Sequence, residues 1–527
     1  MGARSWYSEP MKHCNGRRDL LFVGEVLGGS SRINGMVYTR GSVADYDTWS
    51  SMGHPDWGYE KVLPYFVKAE TALNRPKSRY RGDSGPWINQ AFTDLSWPFK
   101  AYHIFQQCAL AMGFSLIDDA NLPDALCDGV SNLDSTVDQN KQRVSTLEAY
   151  LPRATALKRE GNLTICTGVL VSRIEFSGDE AEHRAEQVSF QYANSTSEKV
   201  FSVRVNKEVV ISSGAVGSPQ ILMLSGIGPR QHLEEHGIEV VRDLPGVGSE
   251  LCDHVAIPVA WEVPITASLT HLATSPLKGA LEFFKYIFFR TGMLSMPIQV
   301  LSLFVRSSSL DNEASVFIGD GPSKLAERSD DTSVPRPQVC LPDIELMPLA
   351  TSAMDDLEEH KAHFSKIGLF SLLTTLLRPK SRGTVRLGSS NPRDRPKVDF
   401  GFLSDPADFE MARKAVRLAL KLGDTMKEQG FPLLRGIAVP KSEKADEELD
   451  KFIRHRARTT YHYSSTCRMA PEFDTQAPGV VDDSLRVHGI QNLRVCDASI
   501  FPQIITSHLQ APVVMVAEKC ASMIKGN

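Results

Sequence analysis

Proton transfer at neutral pH falls first to histidine, whose ordinary pKa of about 6.5 lets it take a hydroxyl proton while another bond breaks. The chain carries fourteen histidines. A lone histidine in an apolar setting is more often a satisfied core residue, so residue type alone does not choose among them. The main chain offers a more local signal in Gly24-Glu-Val-Leu-Gly-Gly-Ser-Ser-Arg-Ile-Asn-Gly-Met-Val-Tyr-Thr-Arg-Gly41. Gly28 and Gly29 let backbone approach a phosphate or a ring closely, and Ser30 and Ser31 add hydroxyl donors. Taken alone, such a segment is more often a tight turn than a site. Nine cysteines with no C-x-x-C pair argue against a structural zinc site or a disulfide framework, so no metal is expected. Buried free thiols in a reducing compartment are the better reading.

Several elements are legible around these residues. Lys207-Glu-Val-Val-Ile-Ser-Ser-Gly214 reads as a buried strand closing on a glycine turn, with a short helix through Gln220–Leu224 behind it. Asn492-Leu-Arg-Val-Cys-Asp497 reads as a strand ending in an acid, followed by the apolar helix Gln510–Ile524. Asp405-Pro406 starts a helix whose apolar positions Phe409, Ala412, Val416, Ala419 and Leu420 follow the 3.6-residue period. Strands feeding helices at both ends suggest an α/β nucleotide-type domain with a second domain inserted into it. Gly319 to Pro337 reads as a surface loop.

The glycine-rich segment 24–41, extended by Asp45, Tyr46, Trp49 and Trp57-Gly-Tyr59, closely resembles the first signature of the glucose–methanol–choline (GMC) oxidoreductase family. Gly214-Ala-Val-Gly-Ser-Pro-Gln-Ile-Leu-Met-Leu-Ser-Gly-Ile-Gly-Pro229 resembles the second, and Asp243-Leu-Pro-Gly-Val-Gly248 with Asp253-His254 continues the match. Tyr461-His-Tyr-Ser-Ser-Thr-Cys-Arg-Met469 resembles the block whose histidine sits over the flavin. Asp497-Ala-Ser499 with Ser507-His-Leu-Gln-Ala-Pro512 resembles the closing block. The resemblance implies an incomplete FAD-binding-type domain over 1–83, 150–254 and 475–527. It implies an α+β substrate domain on an antiparallel sheet over 84–149 and 255–474. It further implies His462 and His508 as the catalytic pair, with Tyr461, Tyr463 and Gln510 lining the substrate pocket. The cofactor residues would be Gly28, Gly29, Ser30, Asn34, Gly35, Met36, Val37, Val171, Asp497 and Ala498. Ile33 stands where some members carry a histidine bonded covalently to flavin, so FAD would be held non-covalently. Tyr463 and Ser465 replace smaller residues of the family pattern and are expected to narrow the cavity above the ring.

The family's opening strand and G-x-G-x-x-G helix, which hold the FAD pyrophosphate, are not found in this sequence. FAD binding is therefore expected to be weak and the 527-residue chain to purify colourless. Three readings stay open. One is an FAD-dependent oxidase or dehydrogenase of a small apolar or aromatic alcohol, with His462 as base, whose sequence lacks its start. The second is a non-redox cyclase, lyase or isomerase on the same scaffold in secondary metabolism; the family includes hydroxynitrile lyases and a polyketide cyclase. The third is an inactive or partner-completed protein.

Bulk properties fit these readings. Hydrophobic residues at 42%, charged residues at 23% and a net charge of -5 suit a globular protein with a small-molecule substrate and give no footprint for nucleic acid. The N-terminus has no apolar signal segment, which suggests a cytoplasmic location; the sequons at Asn162 and Asn194 then read as chance matches. Oligomeric state is not legible. Lys278, Glu282, Lys285, Arg290 and Pro297 interrupt the apolar stretch Leu277–Val305. It is too broken to span a membrane and reads as two amphipathic helices lining a pocket rather than a membrane-surface helix.

Overall fold

The computed structural model describes residues 2–92, 100–178, 183–194, 199–316, 341–353, 366–475 and 477–526. The expected loop at Gly319–Pro337 lies outside them. The architecture is mixed α/β, as the sequence suggests, and its largest element is an antiparallel sheet. Its strands run in the order Gly436–Ala438, Val255–Val263, Gly368–Leu376, Ile344–Leu349, Leu301–Val305, Gly129–Asn132 and Ser115–Ile117, with Arg458–Thr459 also pairing to Val255–Val263. Only the last two strands of the row run parallel.

Both faces of this sheet are covered, so its strands read as continuous apolar runs rather than alternating ones. Every residue of Gly368–Leu376 is buried. The stretch Leu369–Leu377 is thus mostly central strand. Val255, Ile257, Val259, Leu346, Leu372 and Leu376 share a core with the helix Pro406–Glu428, while Ala256, Met347 and Leu373 on the opposite face form a separate cluster. The helix begins as expected: Asp405 caps it by accepting from the Ala407 amide at 2.9 Å, and Pro406 fills the first turn. It lies so close to the sheet that a Cβ on Gly423 would stand 2.7 Å from the Trp261 ring.

A second large core holds Tyr46, Trp49, Trp57, Phe66, Leu222, Met223, Leu493, Val495, Phe501 and Met515. Here Val209–Ile211 pairs parallel with Leu493–Val495. Gly214 does not close a separate turn: with φ at 77° it starts the helix Gly214–Leu224 directly. Met11, Cys14 and Leu21, from the N-terminal segment, pack instead into the core of the antiparallel sheet.

Two expectations need correction. The stretch 277–305 is one helix, Pro276–Phe289, a short 3-10 turn and the strand Leu301–Val305, not a helix pair. Much of the helix's apolar surface faces outward, so periodicity alone misjudged which side meets protein. Cys127 is disulfide-bonded, whereas a fully reduced set was expected; an odd total leaves room for one bridge beside free thiols. Seven described cysteines are free, of which only Cys166 is exposed.

Candidate active site

The loop after Leu20–Gly24 is built on backbone that few side chains tolerate. Gly28, Gly29 and Met36 have φ of 91°, 53° and 66°. Its polar side chains are mostly used to hold it. The Ser30 hydroxyl accepts from the Gly24 amide at 3.0 Å, and Ser31 Oγ donates to the Gly28 carbonyl at 2.5 Å. Asn34 Nδ2 donates to Gln510 Oε1 at 2.8 Å, while Asn34 Oδ1 accepts from the Met36 amide and from Arg143. Gln510 returns a hydrogen bond to the Val37 carbonyl. Gln510, expected to line the pocket, thus ties the C-terminal helix to the loop. Gly35 is packed against Gln299, whose Oε1 would stand 2.5 Å from an added Cβ.

Asp497 joins the closing block to the second signature. Its carboxylate accepts from the Gly214 amide at 2.9 Å, from Ser218 Oγ at 2.5 Å and from the Ser499 amide at 2.8 Å. The neighbouring Ala498 carbonyl accepts from Ser465 N at 3.1 Å. Ser465 has φ of 70°, which accounts for the glycine in the family pattern. Val171 lies half-buried in the strand Val169–Ser177.

His462 and His508 come together: their ring centroids are 4.9 Å apart and nearly perpendicular. His508 is buried, and its Nε2 lies 3.3 Å from Glu345 Oε1. Glu345 sits on the sheet face that also carries Ala256, Thr375 and Phe304 in one cross-strand row. Burial opposes its ionisation, but His508, Ser302 and His254 together hold its carboxyl below the usual range. An ionised carboxylate only accepts, so His508 carries its proton on Nε2.

His462 is half-buried, and its main-chain amide donates to Asp253 Oδ1 at 2.9 Å. Its Nδ1 lies 2.9 Å from Nδ1 of fully buried His254 and 3.2 Å from Thr460 Oγ1. Thr460 donates its own proton to the His254 carbonyl at 3.1 Å, which leaves its oxygen to accept. The Thr460 oxygen so placed accepts from His462 Nδ1, an arrangement that leaves a lone pair on His462 Nε2. Burial, then the two neighbouring histidines, push His462 well below its ordinary pKa; burial also pushes His254 down to about 3.

His254, Thr460 and Glu345 were not among the residues expected to act here. The pairing of Val255 with Thr459 sets His254 beside Thr460, which no linear spacing announces. Glu345 left a signal, as the lone acid of the apolar strand Ile344–Leu349. Tyr463, expected in the pocket, is buried against Phe400 at 5.7 Å in the sheet core, and Tyr461 is exposed beside Phe22. Among the described residues no cluster of potential metal ligands occurs.

The fold and this arrangement have known counterparts. Family profiles described as GMC oxidoreductase match residues 9–256 and 379–517. The chain is 35% identical to an oxygen-dependent choline dehydrogenase of Pseudomonas fluorescens (strain SBW25), over 99% of this chain and 83% of that protein. An FAD-dependent oxidoreductase from Chaetomium thermophilum superimposes with a TM-score of 0.80 at 25% identity, covering 99% of this chain and 90% of that one. A fungal aryl-alcohol oxidase gives 0.78 at 25% identity, covering 99% and 89%. The chain belongs to the GMC oxidoreductase family, whose members among these relatives act on alcohol-type substrates.

Proposed function

We propose that the protein oxidises the CH–OH group of a small apolar or aromatic alcohol, with FAD as hydride acceptor and His462 as base. The observation that carries this reading is the double contact on His462 Nδ1, which leaves Nε2 to take a proton. Oxidation removes a hydride from carbon and a proton from oxygen, and a group kept neutral by its surroundings is ready for the second task. His508, oriented by Glu345 through Nε2–H, stands 4.9 Å away between ring centroids and keeps a lone pair on Nδ1. The hydroxyl has one proton to give; His462 Nε2 takes it, and the His508 ring packed beside it limits how the alcohol can lie, converting binding into orientation.

The residues around the glycine loop suit the flat ring of a flavin. No heavy atom lies within 4 Å of where a Cβ on Gly29 would stand, and Val26, Leu27 and Ile33 nearby are about 40% exposed. Apolar side chains held open beside a bare main chain form a cradle for a planar apolar group. The loop 28–37 and Ala498 would hold the ring, and Ile33 provides no atom for a covalent link. Bound there, flavin supplies the hydride-accepting carbon–nitrogen framework.

The test is anaerobic mixing of the chain and FAD with benzyl alcohol, choline and aliphatic alcohols, following loss of the flavin's visible absorption. Bleaching by one of these is expected, with His462→Ala slowing it about 10²-fold or more while the unfolding midpoint is unchanged. An FAD-loaded chain that no alcohol bleaches, or a His462→Ala variant that matches the parent, overturns the reading.

A further inference from the structure

The helix Pro276–Phe289 is built with its sides reversed. Its only acid, Glu282, is turned inward and buried, where it accepts from Lys285 Nζ and from the Met293 amide, both at 2.7 Å. Its apolar side chains stand in water: Leu277 is 81% exposed, Phe288 67% and Phe283 58%. Leu281, Phe284 and Phe289 are exposed beside them, and the Phe284 and Phe288 rings pack 4.6 Å apart. Leu277, Leu281, Phe284 and Phe288 recur at the three- and four-residue spacing of one helix face. Leu294 and Ile298, both exposed, continue the patch beyond the helix.

A contiguous apolar patch of this kind on a water-soluble surface marks an interaction site. The charges beside it select the partner. Lys278, Lys285 and Arg290 are the cations of the segment 276–305, and Glu282 is its single acid. A second copy of the chain meeting this patch about a two-fold axis would set these cations against their own copies. An anionic bilayer offers the opposite: an acyl layer for the aromatic face and acidic headgroups for Lys278 and Arg290, Lys285 being paired with Glu282. We propose that the helix Pro276–Phe289 docks the protein, in the plane of the interface, on an anionic lipid surface. No described helix is long and apolar enough to cross a membrane, so the association is peripheral.

The patch also leads inward. Ile298 accepts from Tyr102 Oη at 3.3 Å, Gln299 packs on Gly35, and Leu301 pairs with Asn132, so one segment runs from the exposed patch to the glycine loop. Docking would hold this rim of the site against the bilayer. The binding itself does not depend on the oxidase reading and is measured without substrate.

The experiment is co-sedimentation of the full chain with vesicles of about three parts phosphatidylcholine to one part phosphatidylserine, against pure phosphatidylcholine. The parent is expected to sediment with the anionic vesicles and to leave them as salt is raised. The doubly substituted Phe284→Ser, Phe288→Ser chain is expected to lose binding about tenfold or more, with an unchanged unfolding midpoint since both rings are exposed. Lys278→Glu with Arg290→Glu should abolish the preference for anionic over neutral vesicles. Parent protein that stays in the supernatant, or that binds as well with both phenylalanines replaced, overturns the proposal. So does a dimer, seen by sedimentation velocity, that the serine substitutions dissociate.

Discussion

Two buried polar clusters in this molecule are biased in opposite directions. Around the small sheet of Val37–Tyr38, Asp134–Ser135, Trp87–Ala91 and Glu70–Leu73, Arg40, Arg75 and Arg81 meet Glu70, Asp119 and Asp134. Burial works against ionisation here too, yet the arginines hold Glu70 and Asp119 below the usual range, and the acids hold Arg81 above its own. In the histidine cluster burial prevails at His462 and His254, pushed toward neutrality, and at Asp253, pushed up to about 7, while Glu345 is held ionised by its neighbours. The first cluster is balanced and richly hydrogen-bonded, with Asn89 and Asn121 completing the carboxylates. The second contains orphaned atoms, His254 Nε2 and Thr375 Oγ1 among them. One fixes the strand Val37–Tyr38 that ends the glycine loop; the other keeps groups ready to exchange a proton.

The largest effect should come from breaking the balanced cluster. Arg81→Met leaves Glu70, Asp119 and Asp134 short of a cation in a site that water does not reach. Removing one partner of a buried pair costs about 3–5 kcal/mol. Urea unfolding should register that loss, and His462→Ala, at a partly open site, should leave the urea midpoint in place. Equal midpoints for Arg81→Met and the parent would erase the distinction between the clusters.

A smaller effect should come from the residues that orient the histidines. His254→Asn removes the ring nitrogen facing His462 Nδ1 and should lower turnover about 10- to 10²-fold, an effect of the size seen when an outer partner of a working histidine is lost. Nitrogen-15 spectra of the imidazoles separate orientation from mere packing. They should show His462 protonated at Nδ1 in the parent and a mixture of tautomers in the variant. A single unchanged tautomer would remove His254 from this role. Glu345→Gln keeps an acceptor for His508 and should cost less.

The contrast explains what could be read in the sequence. Blocks of contiguous residues were legible because their chemistry is local. The Asp405 cap, the strand Leu493–Val495 followed by Asp497 and the glycine loop are each readable from neighbouring residues. Contacts created by strand pairing were not, which is why His254 and Glu345 escaped, whereas His462 and His508 were expected from the family resemblance of their blocks. The helix Pro276–Phe289 shows a second limit. Its period gives a face, but only packing says that Glu282 turns inward and Phe288 outward. Tyr463 shows a third: an aromatic residue in the right block can still be recruited by the core, here by Phe400.

The last expectation concerns acid and base. The folded state holds His254 neutral with its pKa lowered from 6.5 to about 3, chiefly by burial and against the attraction of Glu345. Between those values the unfolded chain binds a proton that the folded chain refuses. Stability from this group is therefore complete above pH 6.5 and is lost as pH falls toward 3, at no more than about 1.4 kcal/mol per pH unit. Asp253 runs the other way. Burial raises it from 3.8 to about 7, so its contribution is complete below 3.8 and is lost as pH rises through 7. His254→Asn should flatten the acid side of a plot of unfolding free energy against pH, and Asp253→Asn the neutral side. Each substitution should leave the other slope in place. An arginine-cluster variant such as Arg75→Met should lower the curve most at neutral pH and change its acid limb through Asp119, leaving the Asp253 slope in place. If His254→Asn leaves the acid slope of the parent intact, the proton taken up on unfolding belongs elsewhere, and His462, lowered by the same burial, is the next group to replace.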